Sequence, residues 1–303
     1  MTNIRIIEVG PRDGLQHEKT AIPTDAKLAL IKRLVEAGLK EIEATSFVSP
    51  KWVPQLGDAA ELWPQLPAGA LYSALVPNAR GLERAIEVGV KRIAVFTAAS
   101  DAFTQKNINM SVDQSIDVFQ SVVEEFREKV PDGWVRGYVS TAFECPYAGR
   151  IQPQKVVRVC QRLIAIGVDE LSIGDTIGVA APKEVRILTK AIQDVAPVEK
   201  IAYHFHDTRG TAIANVDAAL EMGITAFDSS AGGLGGCPYA PGAGGNLATE
   251  DLAYFLDRSG LDVSVNFQKL AEASLPILEI LGKAPVSKAQ LAILSTCDAP
   301  IPK

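Results

Sequence analysis

Short β-branched runs alternate with stretches of helical periodicity from one end of this 303-residue chain to the other, and the alternation is regular enough to count. Strands are expected at residues 4–9, 41–44, 71–76, 92–97, 135–140, 170–173, 201–204 and 226–229. Helices are expected between them, among others at 25–37, 112–129, 152–166, 182–195 and 211–222, with Gly38 and Gly223 closing the first and last. Eight strand-then-helix units joined by right-handed crossovers predict an α/β fold, a (β/α)8 TIM barrel. A doubly wound open sheet is the alternative, but it usually stops short of eight strands. Further helices expected at 248–256 and 266–281 make extra C-terminal helices packed on the barrel. No linker composition separates them, so residues 1–303 read as a single catalytic domain with about 262–303 as a C-terminal helical extension.

Bulk composition supports one large core. Apolar residues make up 47 % of the chain and charged residues 22 %, as in a globular protein with a sizeable interior. The net charge of −6 argues against nucleic acid as a partner. No apolar run approaches the roughly 20 residues that span a bilayer, and the chain passes from Met1 directly into a strand-like IRIIEV, so neither a membrane partner nor a secretory or transit segment is expected. Cys145, Cys160, Cys237 and Cys297 are far apart with no CxxC spacing. That pattern disfavours a zinc site or a disulfide framework and places the chain in a reducing cytoplasm.

A barrel concentrates chemistry at the carboxyl ends of its strands, so position can be read from the sequence. The seventh expected strand runs IAYHFHD, and alternation puts His204 and His206 on one side with Phe205 on the other. Two imidazoles so placed can share one metal; a hydrogen-bonded pair of core histidines is the competing reading. His17 is expected in a solvated loop. The first strand ends in EVGPRDGLQ, placing Arg12 and Asp13 just beyond its carboxyl end. Asp13 can add a hard oxygen ligand, and Asn246 can add another. Two nitrogens and two oxygens suit Mg2+ or Mn2+; the bland reading of Arg12-Asp13 is a surface ion pair. Glu41 and Glu43 share one side of the second strand, and Glu43 has a plausible partner in Arg12. Asp175, in SIGDTIG, also falls at the same mouth, with a cap for the following turn as the competing reading. Residues 232–246, GGLGGCPYAPGAGGN, hold seven glycines and are expected to act as a lid that brings Cys237 over the site, against the alternative of a flexible crossover.

Taken together, VGPRDGLQ (residues 9–16), SFVSPKWVPQ (46–55), HFHDT (204–208) and the glycine-rich loop resemble the hydroxymethylglutaryl-CoA lyases, and residues 172–178 and 106–109 extend the likeness over most of the chain. The resemblance implies Asp13, His204, His206 and Asn246 as ligands of a divalent metal, with Arg12, Glu43, Asp175 and Cys237 around an acyl-CoA substrate. It also implies cleavage of 3-hydroxy-3-methylglutaryl-CoA to acetyl-CoA and acetoacetate, as in leucine degradation and ketone-body formation. The general base falls among His204, Asp175 and Cys237, and a homodimer is left open. Two positions depart from the family pattern: Phe143-Glu144 stands where smaller residues are expected, and Arg209 where tyrosine is common. Both are expected to shape the pocket, and Arg209, like Lys19 and Lys51, faces either an anionic CoA group or solvent. The competing readings are a lyase for a larger branched 3-hydroxyglutaryl-CoA, a condensing enzyme joining an acyl-CoA to a 2-keto acid, and a catalytically silent binding barrel.

Overall fold

The computed structural model describes residues 4–16, 18–235 and 245–297. Eight parallel strands close into a barrel: β1 (Arg5–Glu8), β2 (Glu41–Ser46), β3 (Leu71–Leu75), β4 (Arg92–Ala98), β5 (Trp134–Ser140), β6 (Glu170–Asp175), β7 (Ile201–Phe205) and β8 (Ala226–Ser229). Neighbours in the barrel are neighbours in sequence, and β1 closes it on β8 with Ile6 opposite Phe227. The expected strands therefore all form, most within one or two residues of their expected ends. One addition is a two-rung hairpin, Glu144–Cys145 with Gly149–Arg150, too short to leave a periodic signal.

The helices follow their local chemistry. Helix Val112–Lys129 opens on a capping box in which Ser111 Oγ accepts from the Gln114 amide at 3.1 Å and the Gln114 side chain accepts from the Ser111 amide at 2.9 Å. Its apolar stripe, including Ile116, Phe119, Val123 and Phe126, is buried against the barrel layer. The single helix expected at 266–281 is two, Phe267–Ala273 and Leu275–Leu281, meeting at Ser274. Pro276 has no amide to give to the carbonyl four residues back, and its ring crowds that turn. A last helix, Lys288–Cys297, lies within the expected C-terminal helical extension, though its weak amphipathic patterning gives no bounds in the sequence. Gln290 holds it by donating to the Ala271 carbonyl at 2.7 Å and to Ser274 Oγ at 2.9 Å.

The barrel interior is not apolar throughout. Ile7, Val9, Ala202 and Ala226 form a small apolar cluster, but Arg5, Glu41, Arg92, Arg136, Glu170 and Asp228 form a ladder of charges. Arg5 bonds Glu41 at 2.6 Å and also reaches Glu170. Arg136, 1 % exposed, lies 3.0 Å from Glu170 and 2.7 Å from Asp228. Removing one partner of such a set strands the others in a low-dielectric interior. Arg136→Leu is therefore expected to lower unfolding free energy by about 3–5 kcal/mol, measured by urea denaturation. A loss below about 1 kcal/mol would show that the ladder is hydrated or otherwise neutralised.

Candidate active site

The site is built where β1, β2, β5, β7 and the segment after the glycine-rich loop converge. Beyond β1 the chain makes a wide π-helical turn, Gly10–Gly14, in which the amides of Arg12, Asp13 and Gly14 converge on the Val9 carbonyl at 3.1, 2.7 and 3.2 Å. Pro11 suits the first turn because its missing amide would have no partner there. Such turns interrupt regular helices mainly at functional positions, and this one presents two consecutive charged side chains to the mouth.

Arg12 is almost wholly buried and cross-braced. Its Nε donates to Glu43 Oε1, and its Nη1 lies 2.5 Å from Asp13 Oδ1. Glu43, with no exposed surface, also accepts from Tyr138 Oη at 2.6 Å, and the guanidinium lies 5.2 Å from the Tyr138 ring centre. The guanidinium is thus fixed in orientation by an acid on one side and an aromatic face on the other.

His204 and His206 project from β7 to one side, as the alternation requires, and their Nε2 atoms face each other at 3.2 Å. His204 Nδ1 is 3.1 Å from Asp228 Oδ2. With that nitrogen donating to the carboxylate, the lone pair of His204 Nε2 is aimed into the site. Asp228 is itself held by Arg136 and by Ser172 Oγ at 2.9 Å. Asp13 Oδ2 lies 3.9 Å from His204 Nε2, and Asn246 Nδ2 donates to that same Asp13 oxygen at 2.9 Å. One ligand atom from each of Asp13, His204 and His206 fits within a 4.8 Å cluster.

The charge states of Asp13 and His206 agree with ligation, whereas the surroundings of His204 favour its proton, which a cation at Nε2 would have to displace. Burial favours the neutral form of Asp13, but the charge of Arg12, those of the two histidines and the Asn246 hydrogen bond outweigh it and hold the carboxyl below its usual range. Burial first, then the neighbouring His204, lowers His206 to about 3, leaving it neutral as a ligand must be. For His204 burial also lowers the pKa, but the Asp228 hydrogen bond and the charge of Asp13 more than offset it and raise it.

The donor set fits a hard divalent ion. Among the described residues, neither Asn246 Oδ1 nor His206 Nδ1, both buried, has a hydrogen-bond partner. Two nitrogens facing each other at hydrogen-bond distance can share only one proton, whereas a cation satisfies both lone pairs. Asp13, His204, His206 and Asn246 supply two nitrogens and two oxygens and no thiolate, a set suited to Mg2+ or Mn2+.

Other expected site residues have partners of their own. Asp175 is buried, but its two carboxylate oxygens accept from the Val179 and Ala180 amides at 3.0 and 2.9 Å, so it braces the loop after β6 and its oxygens are already engaged. Burial raises its pKa to about 6, with those two bonds working against the rise. The capping alternative is the one its geometry matches. Arg209 donates to the Ile177 and Gly178 carbonyls at 2.6 and 3.1 Å, pinning the same loop. Phe143 stacks on Tyr203, centroids 6.5 Å apart, and Tyr203 stacks in turn on Phe205, on the side of β7 away from the histidines. The Phe143 ring thus packs into the outer layer of the fold. Cys237 and His17 lie outside the described residues, as does most of the glycine-rich segment. Tyr138, Ser172, Arg136 and Asp228 were not foreseen, although the same period-two count that aligned Glu41 with Glu43 would have put Arg136 and Tyr138 on one side of β5.

A closed parallel barrel with a buried Asp-His-His cluster and an Arg-Glu pair at its carboxyl mouth defines a (β/α)8-barrel protein with a candidate divalent-metal active site. The HMGL-like family model matches residues 3–277, and the chain belongs to that family. It is 49 % identical to the mitochondrial hydroxymethylglutaryl-CoA lyase of Bos taurus over 287 residues, covering 94 % of this chain and 88 % of the relative. The structure of hydroxymethylglutaryl-CoA lyase from Pseudomonas aeruginosa superposes with a TM-score of 0.94 at 46 % identity, covering 97 % of this chain and 98 % of that one. An HMG-CoA lyase from Acinetobacter baumannii, solved with coenzyme A and 3-methylmalate, gives 0.92 at 36 % identity over 99 % of this chain and 98 % of that one.

Proposed function

We propose that this protein is a carbon–carbon lyase that cleaves 3-hydroxy-3-methylglutaryl-CoA to acetyl-CoA and acetoacetate, using one divalent ion held by Asp13, His204, His206 and Asn246. The observation that carries this reading is the coincidence of the oxygen–nitrogen cluster with a guanidinium already locked by Glu43. When bound, the ion polarises the substrate's tertiary hydroxyl and a neighbouring oxygen, easing loss of the hydroxyl proton.

The protein's own groups account for the remaining demands. Breaking the C2–C3 bond turns the alkoxide carbon into the ketone of acetoacetate and leaves the electron pair on the thioester as an enolate. Arg12, almost wholly removed from water and braced by Glu43 and Asp13, is the group proposed to stabilise that enolate oxygen. Tyr138 holds the far oxygen of Glu43 and keeps the pair in register. The hydroxyl proton must pass to a base at the mouth; both Asp175 oxygens are engaged by backbone amides, and His204, whose Nδ1 donates to Asp228, could accept the proton only at an Nε2 released from the ion. Cys237 is the proposed donor of the proton that converts enolate to acetyl-CoA, on the strength of the family resemblance.

Residues 1–303 are proposed to act as one catalytic unit on an acyl-CoA in the cytoplasm. Cys145 and Cys160 are free and buried, as a reducing compartment allows. Among the described residues no helix is long and apolar enough to cross a membrane. Turnover of a short panel of 3-hydroxy-3-alkylglutaryl thioesters, with Mn2+ and acetoacetate-type products quantified, tests the assignment. The methyl compound is expected to give the highest kcat/KM, because the Phe143 ring stacks on Tyr203, so the departure at that position leaves the family's expected acyl preference in place. A preference of tenfold or more for a larger alkyl group would replace the proposed substrate with its longer homologue.

A further inference from the structure

Glu8 has no exposed surface, lies at the end of β1 and is not one of the metal-cluster residues. Its carboxylate nevertheless collects donors from three separate segments. Oε1 accepts from the Gly10 amide at 2.8 Å and from the Ala231 amide at 3.0 Å, and Oε2 accepts from the Thr249 hydroxyl at 2.6 Å. Each donor sits at the root of something the site needs. Gly10 opens the turn that carries Arg12 and Asp13. Ala231 begins the glycine-rich segment, and Thr249 follows the strand-like stretch that carries Asn246.

The stretch around Asn246 is short and tightly laid down. The Leu247 amide donates to the Phe205 carbonyl at 3.1 Å, the Ser230 amide to the Leu247 carbonyl at 2.9 Å, and the Thr249 amide to the Ser230 carbonyl at 3.2 Å. Only two residues separate Thr249 from Asn246, so a shift at Thr249 moves the ligand. The packing at Gly10 is equally close: a Cβ there would stand 2.5 Å from Glu8 Oε1. Glu250 adds a second brace, both its oxygens accepting from the Gly232 amide at 2.9 Å.

We infer that Glu8 is a positioning residue for the metal site, the common anchor that holds the Asp13 turn in register with the Asn246 segment. It touches neither the ligands nor the reacting atoms and acts through the backbone of both. This rests on the reading of Asp13 and Asn246 as ligands.

The test measures Mn2+ affinity by electron paramagnetic resonance, together with kcat, KM and amide hydrogen exchange, on the full-length protein. Glu8→Ala orphans two buried amides and releases the Thr249 hydroxyl to its other partner, Ser229 Oγ at 2.8 Å. It is expected to weaken Mn2+ binding by about 10- to 100-fold, the range seen when an outer partner of a ligand is lost, to lower kcat with KM little changed, and to speed exchange at Gly10 and Ala231. Glu8→Gln keeps an oxygen for the two amides, and the Thr249 hydroxyl can turn round to accept, so affinity is expected to return to within about threefold of wild type. If Glu8→Ala does not fold, Thr249→Val removes one of the three donors and is expected to weaken Mn2+ binding severalfold. Ile116→Ala, in the outer helix Val112–Lys129, serves as a control that destabilises the fold without weakening metal binding. Glu8 and Thr249 variants that lower Tm as Ile116→Ala does, yet bind Mn2+ as wild type does, would overturn the inference. Wild-type protein with no measurable Mn2+ affinity would overturn the ligand reading itself.

Discussion

Replacing Arg12 by lysine is expected to lower kcat by about 100- to 1,000-fold while the protein remains folded, the range typical for loss of one preorganised donor to a developing oxyanion. Lysine keeps the charge, so the expected effect isolates geometry. The guanidinium uses Nε toward Glu43 and Nη1 toward Asp13, which leaves its remaining N–H groups facing a fixed direction over the Tyr138 ring. An ammonium has one nitrogen and cannot hold Glu43 and Asp13 at once while also presenting a donor to the enolate. Mn2+ affinity is expected to change less than tenfold, because Asp13 keeps its Asn246 bond. Single-turnover kinetics at saturating substrate separate the chemical step from binding. An Arg12→Lys variant with wild-type kcat would remove Arg12 from the charge-stabilising role.

Replacing His206 by alanine is expected to abolish metal binding in the micromolar range and, with it, turnover. The side chain is buried and neutral, and its Nε2 faces His204 Nε2 at 3.2 Å, so its removal halves the nitrogen content of the cluster. The loss is expected to exceed the roughly 10- to 100-fold range of outer-partner variants, which is where Asp228→Asn should fall, since Asp228 reaches the cluster only through the ring of His204, its other partners being Arg136 and Ser172. Calorimetric titration with Mn2+ on both variants ranks them directly. Equal affinities for the two would mean that His206 is a core histidine and that the cation sits elsewhere.

The contrast between Asp175 and Asp228 shows what the sequence made legible. Both are aspartates near barrel-strand ends, and the sequence motif singles out Asp175 alone. Strand parity decides otherwise: Gly174 shares the inward side of β6 with Ser172, so Asp175 turns outward and meets two loop amides. Asp228 turns inward onto His204 and Arg136. The eight strands could be counted because β-branched runs and helical periodicity are local signals. The histidine pair could be aligned because alternation along one strand is local too. The charge ladder of Arg5, Glu41, Glu170, Arg136 and Asp228 joins five strands, and such register is set by barrel closure, which no window of sequence contains. Glu8 escaped notice for the same reason, since its donors lie 2, 223 and 241 residues away. The break at Ser274 does have a local signal, because Pro276 sits inside the expected helix and interrupts it.

The central claim is that the Asp13, His204, His206 and Asn246 cluster holds the divalent ion on which carbon–carbon cleavage depends. Protein stripped with a chelator and titrated with Mn2+ while acetoacetate release from 3-hydroxy-3-methylglutaryl-CoA is followed tests it most directly. Activity is expected to be absent at the start, to rise linearly and to level off at one Mn2+ per chain. Full turnover in the chelated protein, or a metal-saturated protein that releases no acetoacetate, would contradict it.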